Sequence, residues 1–100
     1  MNEKVVQLAQ RQAEICGVFG NPYRVLILWA LSDEERSVGD IADAIGASLQ
    51  NTSQHLRLMR DKGLLTSRRD GNVVYYHLQE HELLCGCRLL NPTIWRRKQQ

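Results

Sequence analysis

The fold is decided by one stretch of the chain, residues 36–65, which reads RSVGDIADAIGASLQNTSQHLRLMRDKGLL. Its first half carries apolar residues at the spacing of one helical face, and these are Val38, Ile41, Ala42 and Ile45. Ser37 directly precedes them and is a good N-cap, because its hydroxyl can accept a hydrogen bond from a free amide of the first turn. We therefore predict a short helix that begins after Ser37.

The second half of this stretch predicts a longer helix. Gly46-Ala47-Ser48 forms a three-residue turn, in which Ser48 suits the N-cap, and Gly63 is a typical C-terminal stop. One face of this helix is expected to pack, and it consists of Leu49, Thr52, Leu56 and Met59. Two helices joined by a short glycine-containing turn form a helix-turn-helix, here over residues 37–62.

A β-hairpin is expected to follow directly. Residues 64–69 (LLTSRR) and 73–78 (VVYYHL) are rich in β-branched and aromatic residues, and they flank Asp70-Gly71-Asn72. Asp-Gly between two such segments is the strongest short hairpin signal, and it favours a type I′ turn, whose two central residues both need φ > 0. A hairpin over residues 64–78, behind a helix-turn-helix, is a wing.

The remaining elements are predicted to be helices. Helical apolar spacing covers residues 5–19, and Asn21 and Pro22 suit the N-cap and first position of a second helix through RVLILWAL, which is apolar nearly all round and should sit at the centre of the core. A last helix is expected over residues 80–90, before Asn91-Pro92. The predicted fold class is mainly α with a small antiparallel β-hairpin: one winged helix-turn-helix domain, residues 1–100, of five helices with the hairpin between the fourth and the fifth.

Composition and motifs exclude several classes of protein. One hundred residues, 43% of them apolar and with a net charge of +2, fit one ordinary globular domain. The first residues lack the apolar core of a signal peptide and no apolar stretch reaches the roughly 18 residues of a membrane span, so we expect a cytoplasmic protein without a membrane partner. The three histidines have no nucleophile-base-acid arrangement around them and no phosphate-binding glycine-rich loop exists, so no enzyme is expected.

Positive charge is concentrated around the helix-turn-helix and the wing. Five bases against two acids occupy residues 57–70, and a second basic cluster lies in the tail, residues 92–100. We expect the fourth helix to read double-stranded DNA in the major groove, because glutamine and asparagine can bond adenine bidentately. The candidates for base contacts are Gln50, Asn51, Ser53 and Gln54. The candidates for phosphate contacts are Ser48, Arg57, Arg60, Arg68 and Arg69, and His55 and Asn72 complete the predicted DNA-binding set.

A second interpretation stays open. Winged-helix modules also serve protein contacts or structural dimerisation, without specific DNA binding. Salt dependence discriminates between the two interpretations, because an operator-specific dimer binds with a steep negative salt slope and a large preference over random DNA, whereas an interaction module shows neither.

Residues 19–78 resemble the ArsR/SmtB family of bacterial repressors. The motifs that carry the resemblance are Asn-Pro-x-Arg at residues 21–24, Ser-Val-Gly-Asp-Ile at 37–41, Ser-Gln-His-Leu at 53–56, and Arg-Arg-Asp-Gly at 68–71 followed by Val-Tyr-Tyr. The resemblance implies a homodimer formed by the first and last helices, residues 1–20 and 79–91, bound to an inverted-repeat operator. It also implies that DNA is released when an effector binds or a thiol reacts.

The chain departs from the family at its usual metal sites. Where the family carries Cys-Val-Cys or a variant, this chain has Ser37-Val38-Gly39, so the arsenic and cadmium site of that motif is not expected. Where the zinc-sensing branch carries Asp-x-His, Glu80 and Glu82 flank His81, and Pro92 and the following tail replace the distal ligands. A zinc site of that branch is not expected either.

Three cysteines remain as candidate sensors: Cys16, Cys85 and Cys87. The resemblance places all three on the dimerisation helices, yet free cysteines are also common as small apolar core residues. Cys85 and Cys87 point about 200° apart in a regular helix, so they cannot bind one ion there unless Gly86 lets the helix unwind. The arrangement we expect instead brings one of them against Cys16 of the same or the partner chain. Such a site would hold As(III) or a soft metal ion, or act as a dithiol switch for redox or sulfur species. The sequence does not decide between packing and sensing.

Overall fold

The structure, a computed structural model, describes residues 2–79. Four helices and three strands follow in the order α1 (Glu3–Val18), α2 (Pro22–Ala30), β1 (Arg36–Ser37), α3 (Val38–Ile45), α4 (Leu49–Asp61), β2 (Leu65–Asp70) and β3 (Val73–Leu78). The predicted last helix at residues 80–90 and the tail at 92–100 lie outside the described residues. Within residues 2–79, no helix is both long and apolar enough to cross a membrane.

Three helices begin at the side chains that the sequence predicts as caps. Asn21 Oδ1 accepts a hydrogen bond from the Tyr23 amide at 2.9 Å, with Pro22 at the first helical position. Ser37 Oγ accepts from the Asp40 amide at 3.1 Å, and Ser48 Oγ accepts from the Asn51 amide at 3.1 Å. Since each cap satisfies an amide that has no partner inside its helix, these bonds fix where α2, α3 and α4 start.

The core lies where α2, α3 and α4 meet the base of the sheet. Its fully buried side chains are Ile27, Ile41, Leu56, Met59 and Leu64. Thr52 is the buried polar residue among the described ones, and its hydroxyl donates to the Ser48 carbonyl at 2.8 Å, so its burial costs little. The central position of the second helix and the buried stripe of the third are therefore as predicted, with Val38 half-buried at the edge of the core.

Helix α1 is only partly covered. Ile15 and Val18 near its end are buried, whereas Val5, Val6 and Leu8 in its first two turns are exposed. Among the described residues, the apolar positions predicted over residues 5–19 are therefore buried only near the C-terminal end of the helix.

The sheet has three strands, where the sequence predicts a two-stranded hairpin. β3 is central and pairs antiparallel with β2 on one side and with the two-residue β1 on the other, Arg36 opposite Tyr76 and Ser37 opposite Tyr75. The prediction of a hairpin alone was thus incomplete. Arg36 and Ser37 carry no strand pattern of their own, and they are extended because β3 offers its free edge to them.

The turn of the wing also differs from the prediction. Asp70 pairs with Val73, so Gly71 and Asn72 are the two loop residues. Gly71 has φ = 61°, but positive φ among residues 2–79 is confined to glycines, so Asn72 lies at negative φ. This is the sign pattern of a type II′ turn, in which glycine takes the first central position, and the predicted type I′ turn is wrong.

Candidate nucleic-acid interface

One face of α4 is free and polar. Gln50, Asn51 and Gln54 are exposed and Ser53 is half-buried, while Thr52, Leu56 and Met59 on the opposite side are buried. Ser48, the cap of this helix, is also exposed. The candidate base-reading residues therefore lie on the outer side of the N-terminal half of α4, where a duplex has access to them.

Leu49 does not pack as predicted. It lies seven residues before Leu56, so both side chains point in nearly the same direction around the helix, yet Leu49 is 60% exposed and Leu56 is fully buried. The difference is axial, because Leu49 is about 10 Å nearer the helix N-terminus, beyond the end of the core. Helical periodicity reports direction around an axis and not position along it.

A groove separates α4 from the wing. Its volume is about 740 Å3, and both walls carry polar and basic side chains. The helix side contributes Leu49, Gln50, Ser53, Arg57 and Arg60, and the wing side contributes Ser67, Arg68, Arg69, Val74 and Tyr76. Four of the five predicted phosphate contacts, Arg57, Arg60, Arg68 and Arg69, are therefore among the residues that line this groove, although their side chains are not all directed into it.

The two wing arginines lie on opposite faces of the sheet. Side chains alternate along a strand, and Arg69 stands opposite Val74, on the face that carries the buried Tyr76. Arg68 stands opposite Tyr75 on the other face, with its guanidinium carbon 4.4 Å from the centre of the Tyr75 ring. The two residues, which the sequence analysis treats as a pair, are therefore not equivalent.

Arg68 is bound by Glu35. Its Nε donates to both carboxylate oxygens at 3.0 and 2.9 Å, and its Nη2 donates to Oε1 at 2.6 Å. These hydrogen bonds lower the pKa of the Glu35 carboxyl and raise that of the Arg68 guanidinium. The side chain of Arg69, in contrast, makes no hydrogen bond or ion pair with the described residues. A phosphate must therefore compete with a carboxylate for Arg68, but not for Arg69.

His55 is half-buried and packs between helices. Its ring stacks on Tyr23 of α2, with centroids 6.0 Å apart and an interplanar angle of 26°. Burial, with a smaller contribution from the Arg24 charge, lowers the pKa of His55 and favours the neutral imidazole. The predicted DNA contact at His55 is therefore less accessible than those of the exposed amides, whereas Asn72 is exposed at the tip of the wing.

Comparison with known proteins agrees with this geometry. Residues 19–68 match a family described as a helix-turn-helix domain. The HTH-type transcriptional regulator KmtR of Mycobacterium tuberculosis is 38% identical over 69 residues, which cover 68% of this chain and 53% of KmtR. The HTH-type transcriptional regulator YgaV of Escherichia coli is 38% identical over 72 residues, covering 71% of this chain and 73% of YgaV.

A solved structure decides the family. It is a homodimeric winged helix-turn-helix DNA-binding domain from Mycobacterium bovis, described as a possible ArsR-family transcriptional regulator, with a TM-score of 0.74 and 26% identity over 99% of this chain and 89% of that one. The chain belongs to the ArsR/SmtB family. This is a family of transcriptional regulators and not of enzymes. The chain spans about half the length of KmtR.

The ArsR/SmtB metal site of helix α3 does not fit this chain. Ser37 Oγ serves as the cap of α3, and neither a hydroxyl nor the neighbouring Gly39 supplies the thiolate that a soft metal ion prefers. Within residues 2–79, no three histidine, cysteine or acidic side chains come together as a metal site. Ser37 therefore has a structural role at the position where the family motif carries a cysteine.

Of the three candidate sensor cysteines, Cys16 lies within the described residues. Cys16 is exposed near the end of α1, and Gln12 Nε2 lies 3.3 Å from its sulfur. Cys85 and Cys87 lie outside the described residues. Two residues before Cys16, the Glu14 carboxylate accepts a hydrogen bond from Lys62 Nζ at 2.8 Å, which lowers the pKa of Glu14 and ties α1 to the end of α4. The C-terminal ends of α1 and α4 are therefore linked by a side-chain contact.

Proposed function

We propose that this protein is a sequence-specific DNA-binding transcriptional repressor that acts as a homodimer on an inverted-repeat operator. The observation that carries the proposal is the exposed row of amides on α4 beside a groove with arginines on both walls. Gln50 and Gln54 are one helical turn apart, about 6 Å along the axis, which is close to two base-pair steps of a duplex. Neighbouring base pairs are thus within reach of one face of the helix.

Base contacts and phosphate contacts are divided between different side chains. Gln50, Asn51 and Gln54 present donors and acceptors to base edges in the major groove, which carries sequence information. Arg57, Arg60 and Arg69 supply positive charge for the sugar-phosphate backbone, which sets the register of the protein on DNA and most of the salt dependence. The exposed N-terminus of α4 adds further donors for a phosphate.

Dimerisation is supported by the exposed apolar side chains of α1. Val5, Val6 and Leu8 are 49%, 39% and 57% exposed in a single copy of the chain. Such side chains on one helix mark a protein contact, and the M. bovis relative is described as homodimeric. Two copies related by a two-fold axis present two α4 helices to an operator with the same symmetry.

The test is selection of bound duplexes from a random pool, followed by titration at several salt concentrations. We expect an enriched palindromic sequence, bound at least about 1,000-fold more tightly than random DNA, and a steep fall of affinity with salt. Gln50→Ala should reduce this preference about 5- to 150-fold, because one base-specific contact is lost. Recovery of unenriched sequences with a flat salt response would favour a protein-interaction or dimerisation module instead.

We propose further that a thiol-directed effector releases the repressor from DNA. Cys16 is exposed on α1, two residues after Glu14, whose carboxylate contacts Lys62 at the end of the recognition helix. Together with Cys85 or Cys87 it would bind As(III) or a soft metal ion, or form a disulfide.

Operator binding should be measured with arsenite, with a dithiol oxidant and with neither, for wild type and Cys16→Ser. We expect one treatment to weaken wild-type binding at least about tenfold and to leave the variant unchanged. If the wild-type protein binds the operator equally under all three conditions, Cys16 is not part of a sensor.

A further inference from the structure

The most exposed leucine of the wing and recognition-helix region stands at the point where a duplex would meet the protein. Leu49 is the first residue of α4, directly before Gln50, and 60% of it is exposed. It is four residues before Ser53, so the two side chains lie on the same side of the helix, and all three of these residues line the groove between α4 and the wing. An apolar side chain thus interrupts an otherwise polar reading surface.

The charged residues around Leu49 indicate whether a protein surface or a DNA duplex covers this side chain. The same groove carries Arg57, Arg60 and Arg69, and of these only Arg60 has an acidic neighbour in the described part of the chain, the Asp61 carboxylate 3.7 Å away. An apolar protein surface placed there would therefore remove cations from water without enough negative charge to balance them. A duplex supplies that charge from its phosphates while its base edges face α4. Leu49 must then meet a base edge.

Base edges in the major groove are polar, with one exception. Thymine carries a 5-methyl group there, and apolar side chains contact it in preference to the bare edge of cytosine. Leu49 also borders a second hollow of about 450 Å3, together with Val38, Val73 and Val74 and with the polar residues Ser37, Ser53 and Asn72. Val38 and Val74 line both this hollow and the groove, so Leu49 has apolar neighbours where a methyl group would approach.

We propose that Leu49 is a specificity-determining residue that selects a thymine by contact with its 5-methyl group. This rests on the proposed function, since it names which base one residue of the reading helix selects. The amides of α4 bond adenine most readily, so a methyl-reading residue beside them extends recognition of an A·T-rich half-site by one base pair.

The experiment uses deoxyuridine, which differs from thymidine only in lacking the methyl group. In the duplex selected by the wild-type protein, each thymine of one half-site is replaced in turn by deoxyuridine and the dissociation constant is measured. At one position we expect wild-type binding to weaken about fourfold, the effect of exposing one buried methyl group. Leu49→Ala should bind the thymine and uracil duplexes equally at that position, within about 1.5-fold.

Leu58→Ala is the matched control. Leu58 lies on the same helix, nine residues further on and so about 180° around the axis, and is 37% exposed. This variant should keep the full response to the missing methyl group. The inference is overturned when every single replacement leaves wild-type affinity within 1.5-fold, or when Leu49→Ala keeps the wild-type response. If the protein still prefers one sequence in either of these cases, only the role of Leu49 is overturned and the proposed function is unaffected. If the selection enriches no sequence, both the role of Leu49 and the proposed function are overturned.

Discussion

Replacement of Leu56 by alanine is expected to lower the free energy of unfolding by about 2–5 kcal/mol, the range seen when a buried leucine loses its side chain and leaves a cavity. Leu56 is fully buried in the core cluster with Ile27 and Ile41. A domain of this size has only about 5–15 kcal/mol in total, so the variant should lie near the edge of folding. Urea unfolding at one fixed protein concentration measures the change, since the proposed dimerisation would make stability depend on concentration.

The control is again on α4. Leu58→Ala changes the same residue type in the same helix, but the side chain is 37% exposed and should cost about 1 kcal/mol or less. Equal losses in the two variants would mean that α4 does not pack on the core through its Thr52, Leu56 and Met59 face.

Removal of three arginines together should have the largest effect on DNA binding. For the triple variant Arg57→Ala, Arg60→Ala, Arg69→Ala we expect the slope of log affinity against log salt to become shallower by about 2.7, since each phosphate contact contributes about 0.9. At 0.15 M salt this corresponds to about 100-fold weaker binding. The loss should be similar for the selected operator and for random duplexes, because phosphates carry no sequence information.

Arg68→Ala provides the comparison for that experiment. Its guanidinium is held by Glu35, so its removal should change the salt slope by less than about 0.5, while Glu35→Gln should free it to add about one contact. A slope change of about 0.9 in Arg68→Ala would contradict this division and mean that DNA displaces the carboxylate. Arg69→Ala serves as the reference, because Arg69 lies on the opposite face of the same strand without a side-chain partner among the described residues, and its removal should change the slope by about 0.9.

Local chemistry explains why the helices could be predicted from the sequence. Asn21, Ser37 and Ser48 each bond an amide two or three residues away, so their roles depend on near neighbours alone. The buried stripes of α3 and α4 follow in the same way from the helical repeat.

The features that the sequence did not reveal depend on residues far apart in the chain. Strand β1 exists because Ser37 meets Tyr75, and Arg68 is engaged because Glu35, 33 residues earlier, lies beside it. The exposure of Leu49 could not be predicted without knowing where the core ends along the axis of α4. Such features are set by the assembled fold, and neither periodicity nor residue type reports them.

The two residues of β1 connect the wing rigidly to helices α3 and α4. Arg36 and Ser37 are hydrogen-bonded to the central strand of the sheet, and Ser37 also begins α3, which leads through a single turn into α4. The hairpin therefore has little freedom to swing relative to the helices without breaking both a strand pairing and a cap. In the homodimer proposed above, the proposed effector would then change the distance and angle between two rigid DNA-binding units, while each unit keeps its own shape.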